Sequence, residues 1–329
     1  MKLIVQIPCF NEEATLKQTI QEIPRVIKGI DSVEVLVIDD GSSDRTLEVA
    51  RQAGADHIIC HTRNKGLAAT FTTGLMESLR LEADIIVNTD GDNQYPGNKI
   101  PELIQPIIEG SADITVGDRE TRKLQHFSKT KRILQKLGSW GVRKLSGVEV
   151  ADAVSGFRAL SKDAAININI VSKFSYTIEM LIQAGEKKLA IQSVVTGSKK
   201  TDRSSRLFKS VPQFLFLSGV TAVRVYTMYR PLRVFSKLGL FFILVGIVPI
   251  GRFLFLYLNG DGDGHIQSII IGSILIVIGC FVVIAGVLAD LIGFNRKLLE
   301  QILILERKRS LTMDFKEKYH DKKNEENDD

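Results

Sequence analysis

The feature that most restricts this chain is a pair of long apolar segments, Leu238 to Leu258 and Ile266 to Phe294. A helix of about 20 residues crosses a hydrocarbon core of roughly 30 Å. The first segment meets that length, and the second is longer and accommodates tilt. Basic residues flank the pair on both outer sides: Arg230, Arg233 and Lys237 before it, Arg296, Lys297, Arg307, Lys308 and Arg309 after it. The connecting stretch Asn259-Gly260-Asp261-Gly262-Asp263-Gly264-His265 has no Lys or Arg. The positive-inside rule therefore predicts a transmembrane hairpin with both termini in the cytoplasm and a short outer loop. That loop resembles a calcium loop but lacks the distal Glu ligand, and reads as a plain turn. Arg252, inside the first span, reads as a side chain snorkelling to the outer interface. Asp290 lies near the inner end of the second span, at a different depth. Gly239, Gly246, Gly272, Gly279 and Gly286 allow close helix packing and oligomers.

Upstream, Phe214, Leu215, Phe216, Leu217 and Val220 precede Arg224 and the flanking basic residues, the pattern of amphipathic helices lying in the interface. Downstream, Lys316 to Asp329 is charged throughout and reads as disordered. The predicted divisions are a catalytic domain over 1–210, interfacial helices over 211–237, two transmembrane helices over 238–295 and a charged cytoplasmic tail over 296–329. The net charge of +5 is compatible with nucleic acid, anionic membrane or phosphorylated substrate. Crowding of the basic residues beside the apolar spans selects the membrane and excludes nucleic acid. Cys9, Cys60 and Cys280 have no metal-ligand spacing and read as free thiols in a reducing compartment. Met1-Lys2-Leu3-Ile4-Val5 reads as a strand, not a signal peptide.

Residues 1–210 alternate strand and helix with short connections. Strands are predicted at Leu3 to Ile7, Val33 to Ile38, His57 to Cys60, from Ile85 up to the Asp90-Gly91-Asp92 stop, at Asp113 to Val116, Ala159-Leu160 and Ala190 to Val195. Helices are predicted around Leu16 to Ile23, Leu47 to Ala50, Leu67 to Leu81, Ile100 to Ile108 and Thr177 to Ala184, with a basic helical stretch from Thr121 to Ser146. This is an α/β pattern, Rossmann-like, with a mostly parallel sheet and helices on both faces. Polar clusters recur where strands end, at Pro8, Asp39, Asp90 and Asp118. Parallel strands bring such clusters to one edge, where ligands bind in open α/β sheets. The Ile85 strand ends in Asp90-Gly91-Asp92. Two hard oxygen ligands there suit Mg²⁺ or Mn²⁺ carrying a diphosphate. The polar, basic stretch Lys199 to Lys209 reads as a flap.

Five motifs occur in order: Ile7-Pro8-Cys9-Phe10-Asn11-Glu12, Asp39-Asp40-Gly41-Ser42-Ser43-Asp44, Asn64-Lys65-Gly66, Asp90-Gly91-Asp92 and Ser155-Gly156-Phe157-Arg158. On these the chain resembles the family 2 glycosyltransferases of GT-A fold. Within them it resembles the membrane-anchored polyprenyl-phosphate glycosyltransferases of the dolichyl-phosphate mannose synthase type, a branch whose tetramers imply a homo-oligomer, a tetramer, here as well. The resemblance implies that Pro8, Phe10 and Glu12 line a nucleotide pocket and that Asp39 hydrogen-bonds the base. Phe10 stands where the family commonly has Tyr. It implies that Asp90 and Asp92 hold the metal and diphosphate, with Gln94 beside them, and that Arg119 and Arg132 grip the acceptor phosphate. Lys200, Ser205 and Arg206 match a flap closing over the diphosphate. Asp152 is the carboxylate expected to orient the acceptor or serve as base; its alternative is capping the Ser155-Gly156 turn. The implied reaction is inverting transfer from a nucleotide-sugar to a polyprenyl phosphate at the cytoplasmic membrane face, with a UDP-sugar favoured and GDP-mannose the other donor. A processive polysaccharide synthase needs a Gln-x-x-Arg-Trp motif, and the only tryptophan, Trp140, sits in Gly138-Ser139-Trp140-Gly141. A non-catalytic nucleotide-sugar-binding scaffold is the reading from another class.

Overall fold

The structure, a computed structural model, describes residues 1–120, 147–172, 176–199, 211–260 and 266–325. The stretch 121–146 with Arg132, and Lys200, Ser205 and Arg206, lie outside the described residues, as do most of the hairpin-loop positions.

The apolar runs of the first 200 residues become strands that are covered on both faces. β1 (Lys2–Cys9), β2 (Ser32–Asp39), β3 (His57–Cys60), β4 (Ile85–Asn88), β5 (Ile114–Asp118), β6 (Arg158–Ser161) and β7 (Ile191–Val195) form one sheet. Its order is β3-β2-β1-β4-β6-β5-β7. The intervening helices are α1 (Leu16–Gln21), α2 (Thr46–Gln52), α3 (Leu67–Arg80), α4 (Ile100–Ile108), α5 (Lys162–Asn167) and α6 (Tyr176–Glu186). Seven consecutive residues of β1 are buried, which suits a strand between two layers of helix. Leu3, Val5, Ile7 and Cys9 point into a core shared with Leu16 and Ile20 of α1, Ala50 of α2 and Leu103 and Ile107 of α4. On the opposite face Gly74 of α3 lies against Gln6 and Ile38, so closely that a Cβ there would come within 2.7 Å of both side chains.

β1 pairs in parallel with β2 on one side and β4 on the other. The strand order therefore reverses between β1 and β4, which opens a crevice beyond their C-terminal ends. β6 is the exception to the parallel pattern. It runs antiparallel to both β4 and β5, with Arg158 level with Asn88 and with Val116. Its beginning, not its end, therefore lies at the edge where the other strands finish.

Three helices follow: α7 (Val211–Tyr229), α8 (Pro231–Leu258) and α9 (Ile266–Glu325). α9 continues through the charged segment that composition reads as disordered, as far as Glu325. The chain forms two compact units, Met1–Val223 with Ile304–Asp329, and Arg224–Leu303. Within the first, Arg307 of α9 donates through Nη1 to the carbonyls of Ile166 at 3.0 Å and Ile168 at 2.9 Å, and through Nη2 to Asn169 Oδ1 at 3.2 Å. These bonds meet carbonyls that the end of α5 leaves open.

In the second unit, α8 and the first part of α9 are long and apolar enough to cross a membrane. Val248, Phe255 and Phe281 are 69%, 67% and 67% exposed, a surface suited to lipid rather than water. Arg252 and Asp290 are both exposed. The glycines are used inside the hairpin. A Cβ on Gly239 would lie 2.7 Å from the Gly279 carbonyl oxygen, and a Cβ on Gly279 2.7 Å from that of Gly239. Gly246 and Gly272 face each other in the same way, at 2.7 and 2.6 Å. Gly286 sits against Phe235. Only a missing side chain lets two helix backbones approach so closely. Gly279→Leu should therefore destabilise the hairpin by about 1–3 kcal/mol, the range for overpacking. Gly251 has nothing within 4 Å of its Cβ position, so Gly251→Leu should leave the thermal unfolding midpoint in detergent unchanged. Equal midpoints for the two variants would refute the packing.

Candidate active site

The acidic turn grows directly out of β4. Thr89 N–H donates to the Gln6 carbonyl at 3.1 Å, which carries the β1–β4 pairing one residue further. Asp90 follows, and its carboxylate rests on Gly156: a Cβ there would stand 3.0 and 3.1 Å from the two Asp90 oxygens and 3.3 Å from the Tyr176 hydroxyl. Gly91 is pressed against Cys9 Sγ and Glu12, and its carbonyl accepts from Thr15 Oγ1 at 2.8 Å and Thr19 Oγ1 at 3.3 Å. Asp92 is half-buried, and its Oδ1 accepts from the Gln94 N–H at 3.0 Å. Among the described residues, no three His, Cys, Asp or Glu side chains gather into a metal cage. The fit to a cation rests on donor chemistry: the oxygens of Asp90, Asp92 and Gln94 are hard donors of the kind that suit Mg²⁺ or Mn²⁺.

A polar floor lies beneath Asp90, and sequence reasoning missed it. Gln6 Nε2 donates to Asn88 Oδ1 at 2.9 Å, while Asn88 Nδ2 donates to the Gly156 carbonyl at 2.9 Å and to the Tyr176 hydroxyl at 3.1 Å. The Gly156 N–H donates to the Tyr95 hydroxyl at 2.8 Å. Tyr95 stacks on Phe157 and Tyr176 on Phe71. Burial pushes the Tyr95 phenol up to about 12, so it stays neutral. The one signal for this floor in the sequence was polar residues inside apolar runs, at Gln6 and Asn88.

The turn that supplies Gly156 is organised by Arg158, which is fully buried. Its Nε donates to the Ser155 carbonyl, Nη1 to that of Thr177 and Nη2 to that of Ala153, each at 2.8 Å. Burial draws its pKa down to about 10, which leaves it a cation at neutral pH. The same turn presents Asp152 to Arg119. Arg119 Nε meets Asp152 Oδ2 at 2.6 Å and Nη2 meets Oδ1 at 3.0 Å, a two-point pair with Asp152 only 1% exposed. Burial disfavours the Arg119 charge, but the Asp152 and Asp90 carboxylates outweigh it and push its pKa further up. The turn at Ser155 is closed by the Asp152 backbone carbonyl, which accepts from the Ser155 N–H at 3.3 Å. The Asp152 side chain is directed to Arg119.

The ends of β1 and β2 form the other half of the edge. Phe10 is 37% exposed, while Pro8 and Glu12 are buried. Asn11 adopts φ +56°, its N–H donates to Ser42 Oγ at 2.8 Å, and its Oδ1 accepts from the Ser43 N–H at 2.8 Å. Asp39 is buried and accepts from the Ser42 N–H at 3.3 Å. Its neighbour Asp40 accepts from the Lys65 and Gly66 N–H groups at 2.9 and 2.8 Å and pairs with His61 Nδ1 at 2.7 Å. Asp40 thus joins the turn after β2 to the turn before α3. Gly41, at φ +73°, permits this, since a Cβ would come within 2.8 Å of the Arg63 backbone. Cys9 is buried below the edge, and burial first, with Glu12 and Asp39 adding to it, pushes its thiol well above the usual range. The structure thus brings Pro8, Phe10, Glu12, Asp39, Asp90, Asp92, Gln94, Arg119 and Asp152 to the strand-end edge.

This chain belongs to glycosyl transferase family 2, whose family model matches residues 4–168. A relative in Pyrococcus furiosus, a dolichol-phosphate mannosyltransferase, is 29% identical over 226 residues, 65% of this chain. The match spans 62% of that protein, just under two thirds of its length. The undecaprenyl-phosphate 4-deoxy-4-formamido-L-arabinose transferase of Pectobacterium carotovorum is 26% identical over 301 residues, covering 88% of this chain and 87% of that protein. Among solved structures, glucosyl-3-phosphoglycerate synthase from Mycobacterium tuberculosis, in complex with Mn²⁺, UDP and phosphoglyceric acid, superposes with a TM-score of 0.53. It is 20% identical and covers 69% of this chain and 77% of its own, a likeness in fold.

Gly156→Ala brings a Cβ to 3.0 and 3.1 Å from the two Asp90 oxygens, so the carboxylate must give by a few tenths of an ångström. A misplacement of about 1 Å can cost about 100-fold in rate, so this smaller one should lower glycosyl transfer by about tenfold while the thermal midpoint moves little. An unchanged rate would show that Gly156 does not set the position of Asp90.

Proposed function

We propose that the chain transfers a sugar from a nucleotide-sugar to the phosphate of a polyprenyl phosphate, with inversion, at the cytoplasmic face of the membrane. The observation that carries this reading is the pairing on one edge of an acidic turn, Asp90 to Asp92, with a nearly buried arginine locked by a carboxylate, Arg119 on Asp152. The first suits a cation-bound diphosphate and the second a phosphate acceptor. Polyprenyl-phosphate transferases among the relatives support the acceptor class. The two apolar helices support a site of work where such a lipid resides.

A lipid monophosphate has a second pKa of about 6, so at neutral pH it is largely dianionic and needs little help from a base. One of its oxygens attacks the anomeric carbon. The bond from that carbon to the donor diphosphate breaks, and the nucleoside diphosphate leaves with the electron pair. One displacement inverts an α-linked donor to a β-linked product. Arg119 orients the attacking phosphate through charge-assisted hydrogen bonds. Asp152, with both oxygens on Arg119, fixes the guanidinium plane, so we assign it to positioning and not to proton removal. Phe10, Pro8, Glu12 and Asp39 hold the nucleoside. Asp90, Asp92 and Gln94 would hold Mg²⁺ or Mn²⁺, which when bound offsets charge building on the leaving diphosphate. Arg132, Lys200, Ser205 and Arg206 complete the proposal as acceptor and flap residues.

Incubating the detergent-solubilised protein with UDP-glucose, UDP-N-acetylglucosamine or GDP-mannose and a short polyprenyl phosphate should give a glycosylated lipid, detected by mass. Donor binding with no product for any pair would favour a scaffold. Asp92→Asn should abolish transfer, and EDTA should do the same reversibly. Arg119→Ala should raise KM for the lipid at least tenfold while leaving donor KM near the parent, since an arginine–phosphate contact is charge-assisted. An equal loss of donor affinity would move Arg119 to the nucleotide side.

A further inference from the structure

The turn that follows Asp92 is held from outside by residues in none of the five motifs. Asn93 adopts φ +56°, a left-handed conformation. Its Oδ1 accepts from Lys199 Nζ at 3.2 Å, and its Nδ2 reaches towards Glu22 Oε1 at 3.5 Å. The same Lys199 ammonium pairs with the Glu22 carboxylate. The Lys199 backbone N–H donates to the Gln94 carbonyl at 2.8 Å. On its other side the Gln94 N–H is the donor to Asp92 Oδ1, at 3.0 Å. Glu22 is in turn fixed by Gln18 Nε2 at 3.1 Å, and its backbone lies so close to Gly97 that a Cβ there would come within 2.7 Å of its carbonyl oxygen. Three distant segments therefore meet at one polar triangle: the end of α1, the turn after β4 and the chain four residues beyond β7.

We infer that Glu22, Asn93 and Lys199 are positioning residues that hold Asp92 and Gln94 in place for the divalent cation. This rests on the reading of Asp90, Asp92 and Gln94 as cation ligands. The physical case turns on exposure. The Glu22 and Lys199 side chains are 29% and 35% exposed, and an ion pair this open to water adds little to stability. What it fixes is geometry. It holds the Asn93 side chain and, through Lys199, the carbonyl of Gln94, so both peptides around Gln94 have defined directions. Asp92 takes its orientation from one of them. Burial alone would raise the Glu22 pKa, but Lys199 and Gln18 outweigh it and hold the carboxyl below its usual range, so Glu22 is a carboxylate at neutral pH. Outer-shell partners of this kind typically change metal affinity 10- to 100-fold when removed.

The test is a Mn²⁺ titration of the full-length protein in detergent, with free Mn²⁺ followed by electron paramagnetic resonance in the presence of UDP or GDP. Lys199→Met and Glu22→Gln should each raise the Mn²⁺ dissociation constant about tenfold, with the thermal midpoint near the parent. Lys199→Arg, which keeps the charge, should restore most of the affinity; a loss as deep as that of Lys199→Met would overturn the ion-pair assignment. Asn93→Gly keeps the left-handed backbone at no steric cost and should weaken Mn²⁺ binding likewise, which covers a Lys199→Met protein that does not fold. Asp92→Asn separates the two levels. If it abolishes Mn²⁺ binding while Lys199→Met and Asn93→Gly bind as the parent does, the triangle is not a positioning device and the cation reading stands. If Asp92→Asn itself binds Mn²⁺ normally, the cation reading fails and this inference with it.

Discussion

Taking a guanidinium out of water costs several kcal/mol unless every donor finds a partner. Arg158 offsets that cost through all three of its nitrogens, with the carbonyls of Ala153, Ser155 and Thr177 and the Met180 sulfur, and the arrangement of the edge follows from it. The three carbonyl bonds fold the Asp152 to Phe157 turn into one shape and tie it to α6. In that shape the turn delivers Asp152 to Arg119 and sets Gly156 under Asp90. Apolar neighbours cannot replace this restraint, because dispersion and burial have no preferred direction. A charged group with fixed donor directions does.

The edge divides into parts with different physical tasks. Around β1 and β2, side-chain oxygens are spent on backbone N–H groups: Ser42 on Asn11, Thr46 on Glu12, Asp40 on Lys65 and Gly66. These bonds build a rigid rim and leave Phe10 and the Asp39 carboxylate beside it. Around β4 and β5, opposite charges stand close together, with Asp90 and Asp92 on one side and Arg119 on the other. Asp152 holds Arg119 by one edge of its guanidinium, which fixes the plane of that cation beside the acidic turn. In the hairpin the logic is steric. Gly239 with Gly279, and Gly246 with Gly272, remove the side chains that would separate α8 from α9, and dispersion between backbones replaces a hydrophobic drive that lipid does not supply.

Much of this was legible in the residues. The seven strands read from apolar runs are the seven of the sheet, and the long apolar segments are helices of spanning length. Period and length alone carry such information, since they depend on a residue's near neighbours. The acidic turn after β4 was visible for the same reason. The Asp152 side chain was read as base, orienting group or turn cap; its partner is Arg119, thirty-three positions earlier in the chain, and no local pattern reports that. The charged stretch from Lys316 reads by composition as disordered, yet α9 carries it to Glu325, because a helix already propagating adds residues without a new nucleation cost. The hairpin glycines were legible as small but not as paired, since pairing depends on which faces of two helices meet.

The sequence by itself determined which segments become strands, which helices are apolar enough for lipid, and which turns carry carboxylates at strand ends, because each of these follows from side-chain chemistry counted along the chain. Only the tertiary structure decided that β6 enters the sheet antiparallel, so that its first residue, Arg158, stands beside the last residue of β4. The same holds for Gln6, Asn88, Tyr95 and Tyr176 meeting beneath Asp90, and for Lys199 reaching Glu22. Strand direction is fixed by hydrogen bonds between segments far apart in sequence, and a side chain's partner by where those segments come to lie, which no count along the chain contains.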